Sequence, residues 1–118
     1  MCHQTVSLVA RYLEANGLPT IVWSNALDIT QSAFVPRTYF TNYPLGNPIG
    51  RPGDKADQRA GLLAGLALLE GAQEAGTVHY SDRVWSDSTD WMRLIFSKDQ
   101  PFLSDEAEAR RQSDLAKV

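Results

Sequence analysis

Pro36-Arg37-Thr38-Tyr39-Phe40-Thr41-Asn42-Tyr43-Pro44-Leu45-Gly46-Asn47-Pro48-Ile49-Gly50-Arg51-Pro52-Gly53-Asp54 is the stretch from which the fold is read. It holds four of the six prolines and three of the eight glycines of the chain. Arg37 to Asn42 has the β-branched and aromatic content of a short strand. The loop after it must keep a defined shape without a regular ladder. Each proline fixes its own φ and biases the residue before it away from the helical region, while Gly46, Gly50 and Gly53 permit positive φ. A stiff loop of this kind can turn free N–H groups toward a ligand, as strand-to-helix loops that bind anions do. No GxGxxG or Walker pattern accompanies it. It reads equally as a rigid connector without a ligand.

Upstream, Val6, Val9, Ala10 and Leu13 fall at i, i+3, i+4 and i+7, so Gln4 to Asn16 is expected as a helix with those residues on its buried face. Gly17 supplies a left-handed stop and Pro19 follows it. Pro19 to Ser24 is a short apolar run suited to a strand buried on both faces of a parallel sheet. Asn25 to Ser32 reads as a short helix or an irregular crossover. Downstream, Asp54 or Asp57 caps a helix over Lys55 to Ala75 that carries Leu62, Leu63, Leu66, Leu68 and Leu69. Gly61 and Gly65, four apart, mark close packing on a sheet rather than a membrane dimer, since Asp57, Arg59 and Glu70 share the segment. Gly76 ends that helix, and Thr77 to Tyr80 reads as another strand. The alternation predicts an α/β fold, a three-layer Rossmann-like domain with a small, largely parallel sheet.

An α/β unit ordinarily opens with a strand, whereas this chain opens within four residues of a helix. Either the sheet lacks its first strand, or a partner supplies it, or the true start lies upstream. Beyond Tyr80 the composition changes. Asp87 or Ser88 caps a helix through Trp91, Met92, Leu94, Ile95 and Phe96, whose apolar face needs covering. Pro101 breaks it. The expected organisation is a single domain over 1–100, with 101–118 as a solvated helical or frayed tail.

Composition narrows the classes of function. The 118 residues suit one domain, and 43% hydrophobic with 21% charged residues is globular. A formal net charge of −3 argues against a nucleic-acid binder, which would show a basic face. No apolar run nears the roughly 18–20 residues that span a bilayer, and no signal peptide is recognisable. The single cysteine excludes an internal disulfide. These features lead to the expectation of a cytoplasmic protein without membrane attachment.

Cys2 is the sharpest candidate for chemistry. It stands where the first helix begins, and unpaired N–H groups with the positive end of the helix dipole stabilise a thiolate there. Cys2-x-x-Thr5 has the spacing of one-cysteine redox centres, with a hydroxyl in place of the second thiol. The bland alternative is an ordinary thiol near a frayed end. His3 points elsewhere on the helix, and one cysteine with two histidines falls short of the four ligands of a structural zinc site. Arg37 and Arg51 bracket the loop and can either clamp a carboxylate or phosphate or brace the loop itself. Asp54, Asp57 and Gln58 suit caps better than general acids or bases. His79 suits a structural role, and Trp23 and Trp85 a core or interface.

Cys2-His3-Gln4-Thr5, Arg11 to Thr20, Pro36-Arg37 and Tyr43-Pro44-Leu45-Gly46-Asn47-Pro48 together resemble the glycine/sarcosine/betaine reductase selenoprotein B family, which includes D-proline reductase relatives. The similarity runs from about Cys2 to Val78 and is to the family's C-terminal segment. It implies reductive cleavage of a C–N bond in an amino acid or betaine by a selenol or thiol. In the family this happens within a multi-subunit complex whose pyruvoyl partner binds the substrate amine. Carried over by position, Cys2 falls in the reactive turn, and the family's second cysteine is either replaced by Thr5 or lies beyond this start. Arg37 and Pro44, Leu45, Gly46 and Asn47 fall in the neighbouring loop; Arg51, at the loop's far end, joins them as a substrate-binding candidate. No selenocysteine is written in this sequence, and neither a cofactor nor a metal is expected.

Two functions of different class follow. One is a thiol-dependent reductase or reductase subunit, with Cys2 as nucleophile and loop 44–53 holding a small-molecule substrate. The other is a non-catalytic assembly subunit whose missing strand and Trp91–Phe96 face are completed by another chain. Self-association into a homodimer or larger is expected in either case.

Overall fold

The structure is a computed structural model and describes residues 2–92 and 113. The elements run α1 (His3–Ala15), β1 (Val22–Ser24), α2 (Leu27–Ser32), β2 (Arg37–Phe40), α3 (Lys55–Gly71), β3 (Thr77–Tyr80) and a 3-10 turn (Asp90–Met92). All three strands are parallel in the order β1-β2-β3. This is an α/β fold with a small parallel sheet. Two compact units divide the chain, Met1–Trp85 and Ser86–Val118.

In register, Val22 pairs with Thr38 and Thr38 with Val78, so these share one face of the sheet. Trp23, Tyr39 and His79 share the other, where the Tyr39 and His79 rings stack with centroids 5.1 Å apart. Ala10 of α1, Val22 and Val35 form the buried apolar cluster on the first face. Helix α3 lies against the second. The Trp23 indole donates to the Gly61 carbonyl oxygen at 3.0 Å, and a Cβ on Gly65 would overlap the same ring.

Local chemistry sets the element ends. α1 closes in a Schellman pattern, with Leu18 N–H to Leu13 O, Gly17 N–H to Glu14 O, and Gly17 at φ +83°. α2 ends in the same pattern, Val35 N–H to Thr30 O and Phe34 N–H to Gln31 O, but Phe34 takes the left-handed position at φ 54°. The loop after β2 contains two turns closed by i→i+3 bonds, Asn47 N–H to Pro44 O and Asp54 N–H to Arg51 O. Each carries a left-handed glycine at its third position, Gly46 and Gly53, and Pro52 pre-sets the second.

The α1 face differs from the expectation, whereas Gly61 and Gly65 of α3 pack on the sheet as expected. On α1 the buried residues are Ser7 and Ala10, while Val6 and Val9 are 39% and 49% exposed. The cause is Glu14. Its carboxylate accepts from the Thr20 N–H at 2.7 Å and from Arg37 Nη1 at 2.7 Å, and that anchor rotates positions 7, 10 and 14 inward. On α3 the inward residues are Asp57, Gly61 and Gly65, and Leu62, Leu63 and Leu66 face outward. Boundaries also move. The expected strand at Pro19–Ser24 shortens to Val22–Ser24, because Thr20 is tied to α1, and the helix expected to Ala75 stops at Gly71.

In the second unit the Ser88 hydroxyl oxygen accepts from the Asp90 N–H at 3.1 Å, and Met92 N–H bonds to Thr89 O at 3.0 Å. Of the helix expected through Trp91–Phe96, only Trp91 and Met92 are described, and they belong to a 3-10 turn over Asp90–Met92. Leu94, Ile95, Phe96 and the tail expected over 101–118 lie outside the described residues, apart from Ser113.

The Trp23 contact gives a direct test of the fold. Gly65→Ala must displace the indole and should cost about 1–3 kcal/mol in urea unfolding. Gly71→Ala, with nothing within 4 Å of the new Cβ, should instead gain up to about 1 kcal/mol. Equal midpoints for the two variants would be incompatible with α3 lying on Trp23.

Candidate functional site

The segments that leave the carboxyl ends of β2 and β3 converge on one side chain. Asp57, in the first turn of α3, has a side chain only 5% exposed. Its Oδ1 accepts from the Tyr43 hydroxyl at 3.1 Å and from Arg83 Nη1 at 2.9 Å. Its Oδ2 accepts from the Arg51 N–H at 2.8 Å. Tyr43 follows β2, Arg83 follows β3, and Arg51 belongs to the Pro/Gly loop. Arg83 Nη1 also donates to the Asp57 carbonyl oxygen at 2.8 Å, and the guanidinium lies over the Tyr43 and Tyr39 rings at 5.5 and 5.9 Å. Gly61 leaves room for this: a Cβ there would overlap Ile49 O and crowd Arg83 Nη2.

Opposing effects meet at this carboxylate. Burial pushes its pKa up, but the Arg51 N–H, the Arg83 guanidinium and the Tyr43 hydroxyl outweigh it and leave the value lowered. Burial first, and then the Asp57 charge, raise the Tyr43 pKa, so the phenol stays a donor. Asp57 is thus held as an anion at neutral pH and ties the loop to the sheet.

The loop and the outer side of α3 enclose a cleft of about 640 Å³. Gly46, Asn47, Pro48, Ile49 and Gly50 form one wall, and Lys55, Gln58, Arg59 and Leu62 the other. Among the sequence candidates, Gly46 and Asn47 line it, while Pro44, Leu45 and Arg51 do not. Pro44 O holds Asn47 through the turn N–H and the side-chain amide at 3.2 Å, and Leu45 is 58% exposed. Arg51 is engaged by Asp54 at 3.3 Å and Asp57 at 3.5 Å. Arg37 is elsewhere, bound to Glu14, with its Nε buried and unbonded. Lys55 and Arg59 are the cations that face the cleft.

Cys2 is the N-cap of α1. Its Sγ accepts from the Thr5 N–H at 3.4 Å, and the residue is exposed. The Thr5 side chain first, and then the Thr5 N–H, lower the thiol pKa. Six residues connect α1 to β1 and fold Glu14 back onto Thr20, so α1 runs antiparallel to β1. Its N-terminus, with Cys2, therefore stands at the same end of the sheet as the Asp57 cluster. Cys2 does not line the loop cleft. The cavity beside its turn is a smaller one of about 410 Å³ between α1 and α2, walled by Gln4, Leu8, Asp28 and Ile29. Among the described residues no three His, Cys, Asp or Glu side chains gather as a metal site, and no helix is long and apolar enough to cross a membrane.

Sequence reasoning treats Asp57 as a cap and passes over Arg83, Lys55 and Arg59. A signal for Asp57 exists. Positions 57, 61 and 65 are spaced by four, so two glycines that mark close packing put Asp57 on the same buried face. Nothing local marks Arg83, which reaches Asp57 across 26 residues.

No protein-family model, curated protein or solved structure matches this chain.

Arg83→Ala leaves the buried carboxylate without its charged partner and should lower stability by about 3 kcal/mol at neutral pH. Asp57 and Glu14 both have lowered pKa values in the folded state. Their stabilisation is complete above the unfolded carboxylate values of about 3.9–4.3, and it is lost as pH falls through the lower folded values. Urea midpoints of the wild type should therefore drop below about pH 4, and Asp57→Asn should flatten that drop. An unchanged acid limb in Asp57→Asn would remove Asp57 from the linkage.

Proposed function

We propose that this chain is a thiol-dependent reductase-like subunit, akin in chemistry to the selenoprotein B component of glycine, sarcosine, betaine or D-proline reductase. The observation that carries the reading is the exposed Cys2 sulfur, which caps α1 and accepts the Thr5 N–H. A thiolate so placed is a nucleophile at lower pH than a free thiol. In this reading Sγ attacks the carbon bearing nitrogen, and the amine leaves with the electrons of the C–N bond. An external thiol then attacks the sulfur, forming a disulfide, and the carbon departs with a proton. The two thiols are the reductant. Loop 44–53 holds the substrate, with Lys55 offering charge to a carboxylate, and the substrate must reach out of that cleft to Cys2, which stands at the same end of the sheet but does not line it. Arg37 and Arg51 then act as braces through Glu14 and Asp57.

The proposal includes a Rossmann-like three-layer arrangement, a cytoplasmic setting, and assembly as a homo-oligomer or as part of a larger reductase complex. A second reading, a non-catalytic assembly subunit, is favoured by one specific feature: Leu8, Tyr12, Leu63 and Leu66 are all at least 41% exposed on regular helices.

Alkylation by iodoacetamide followed against pH separates the two. The Cys2 midpoint should lie below the ordinary thiol value of about 8.5, so thiolate predominates at a lower pH than in an unfolded peptide. Thr5→Val should move the midpoint upward, and Ser7→Ala should leave it in place. A wild-type midpoint equal to that of the unfolded peptide, with Cys2→Ser retaining any amine release from glycine or betaine, would favour the assembly reading.

A further inference from the structure

The outward face of α3 carries a charge pattern that is complementary to itself. Lys55, Arg59, Leu62, Leu63, Leu66 and Glu70 fall within an arc of about 100° at 3.6 residues per turn. All six are exposed, with the three leucines at 43%, 50% and 41%. The arc lies opposite Asp57, Gly61 and Gly65, the side turned to the sheet. Cations stand at its N-terminal end, leucines in the middle and an acid at its C-terminal end. No ion pair among the described residues uses Lys55, Arg59 or Glu70.

We propose that this face pairs with the same face of a second copy, antiparallel about a two-fold axis. In an antiparallel pair centred between Ala64 and Gly65, Arg59 faces Glu70 of the other copy and Leu63 faces Leu66. Both relations occur twice by symmetry, as an isologous interface requires. A parallel pair would instead set Arg59 against Arg59 and Glu70 against Glu70, which like-charge repulsion disfavours. Desolvation of the leucines supplies the attraction, and the charges select the orientation. Leu62, Arg59 and Lys55 also border the loop cleft, so the second copy would wall its open side near Arg59 and leave Lys55 for a bound anion. The inference supplies a surface for the self-association proposed above and does not draw on the Cys2 chemistry.

Charge reversal with the full-length chain tests it by sedimentation. Arg59→Glu alone sets two carboxylates against each other across the interface, and Glu70→Arg alone sets two guanidinium groups against each other. Each variant by itself should dimerise at least tenfold more weakly than wild type, with unchanged far-UV circular dichroism. An equimolar mixture of the two offers a heterodimer in which one cross-pair is the native Arg59–Glu70 and the other is the same pair with its signs exchanged. The mixture should recover dimerisation to within about threefold of wild type. Leu63→Gln should weaken dimerisation in every combination. A wild-type chain that stays monomeric at several hundred micromolar overturns the proposal, as does a mixture no heavier than its separate components. Iodoacetamide alkylation of Cys2 should be the same in all these variants, so loss of dimerisation and loss of thiol reactivity are read independently.

Discussion

A single buried carboxylate holds the upper half of this structure together. Asp57 receives an N–H from the Pro/Gly loop, a hydroxyl from the segment after β2 and a guanidinium from the segment after β3. Burying an anion is costly, and the cost is met only where several donors converge on both oxygens. The convergence in turn restricts everything it touches. The loop must bring Arg51 N–H to within 2.8 Å, α3 must start where Asp54 can cap it, and Gly61 must stay bare so that Ile49 and Arg83 fit beside it.

Glu14 plays the equivalent part at the opposite end of the sheet. It ties the end of α1 to Thr20 and to Arg37 at the start of β2. Each of the two longer helices is therefore oriented by a carboxylate rather than by its apolar stripe. That reverses the usual expectation, in which burial of leucine and valine sets helix rotation. The small residues Ser7, Ala10, Gly61 and Gly65 face inward, and the sheet comes close enough to contact them. Apolar side chains are left outside on both α1 and α3.

The arrangement separates stability from chemistry. The charged clusters that fix the fold engage internal partners, Asp57 with Arg83 and Glu14 with Arg37, although the Arg37 Nε stays unbonded. The groups that face outward are different ones: the Cys2 sulfur, exposed at its cap, and Lys55 and Arg59 beside the loop cleft. A stiff loop suits such a division, because prolines and left-handed glycines hold its shape with little help from the ligand.

Local sequence determined the order and type of the elements in the first 80 residues except α2, because Asn25 to Ser32 suits a short helix or an irregular crossover alike. Gly17, the Pro52-Gly53 turn, and Cys2 and Asp54 at helix starts are recognisable because capping and turn formation involve neighbours only three to five residues apart. The candidate thiol was legible for the same reason, since Cys2 and Thr5 belong to one turn. Helix rotation was not legible from the apolar periodicity of α1, because Val6 and Val9 compete with a single polar anchor whose partners, Thr20 and Arg37, lie in other elements. The Asp57 cluster was hidden likewise, although the four-residue spacing to Gly61 and Gly65 pointed inward. Only the tertiary structure brings Arg83 across 26 residues to that carboxylate, and the face that holds Asp57, Gly61 and Gly65 against the sheet leaves Leu62, Leu63 and Leu66 toward water.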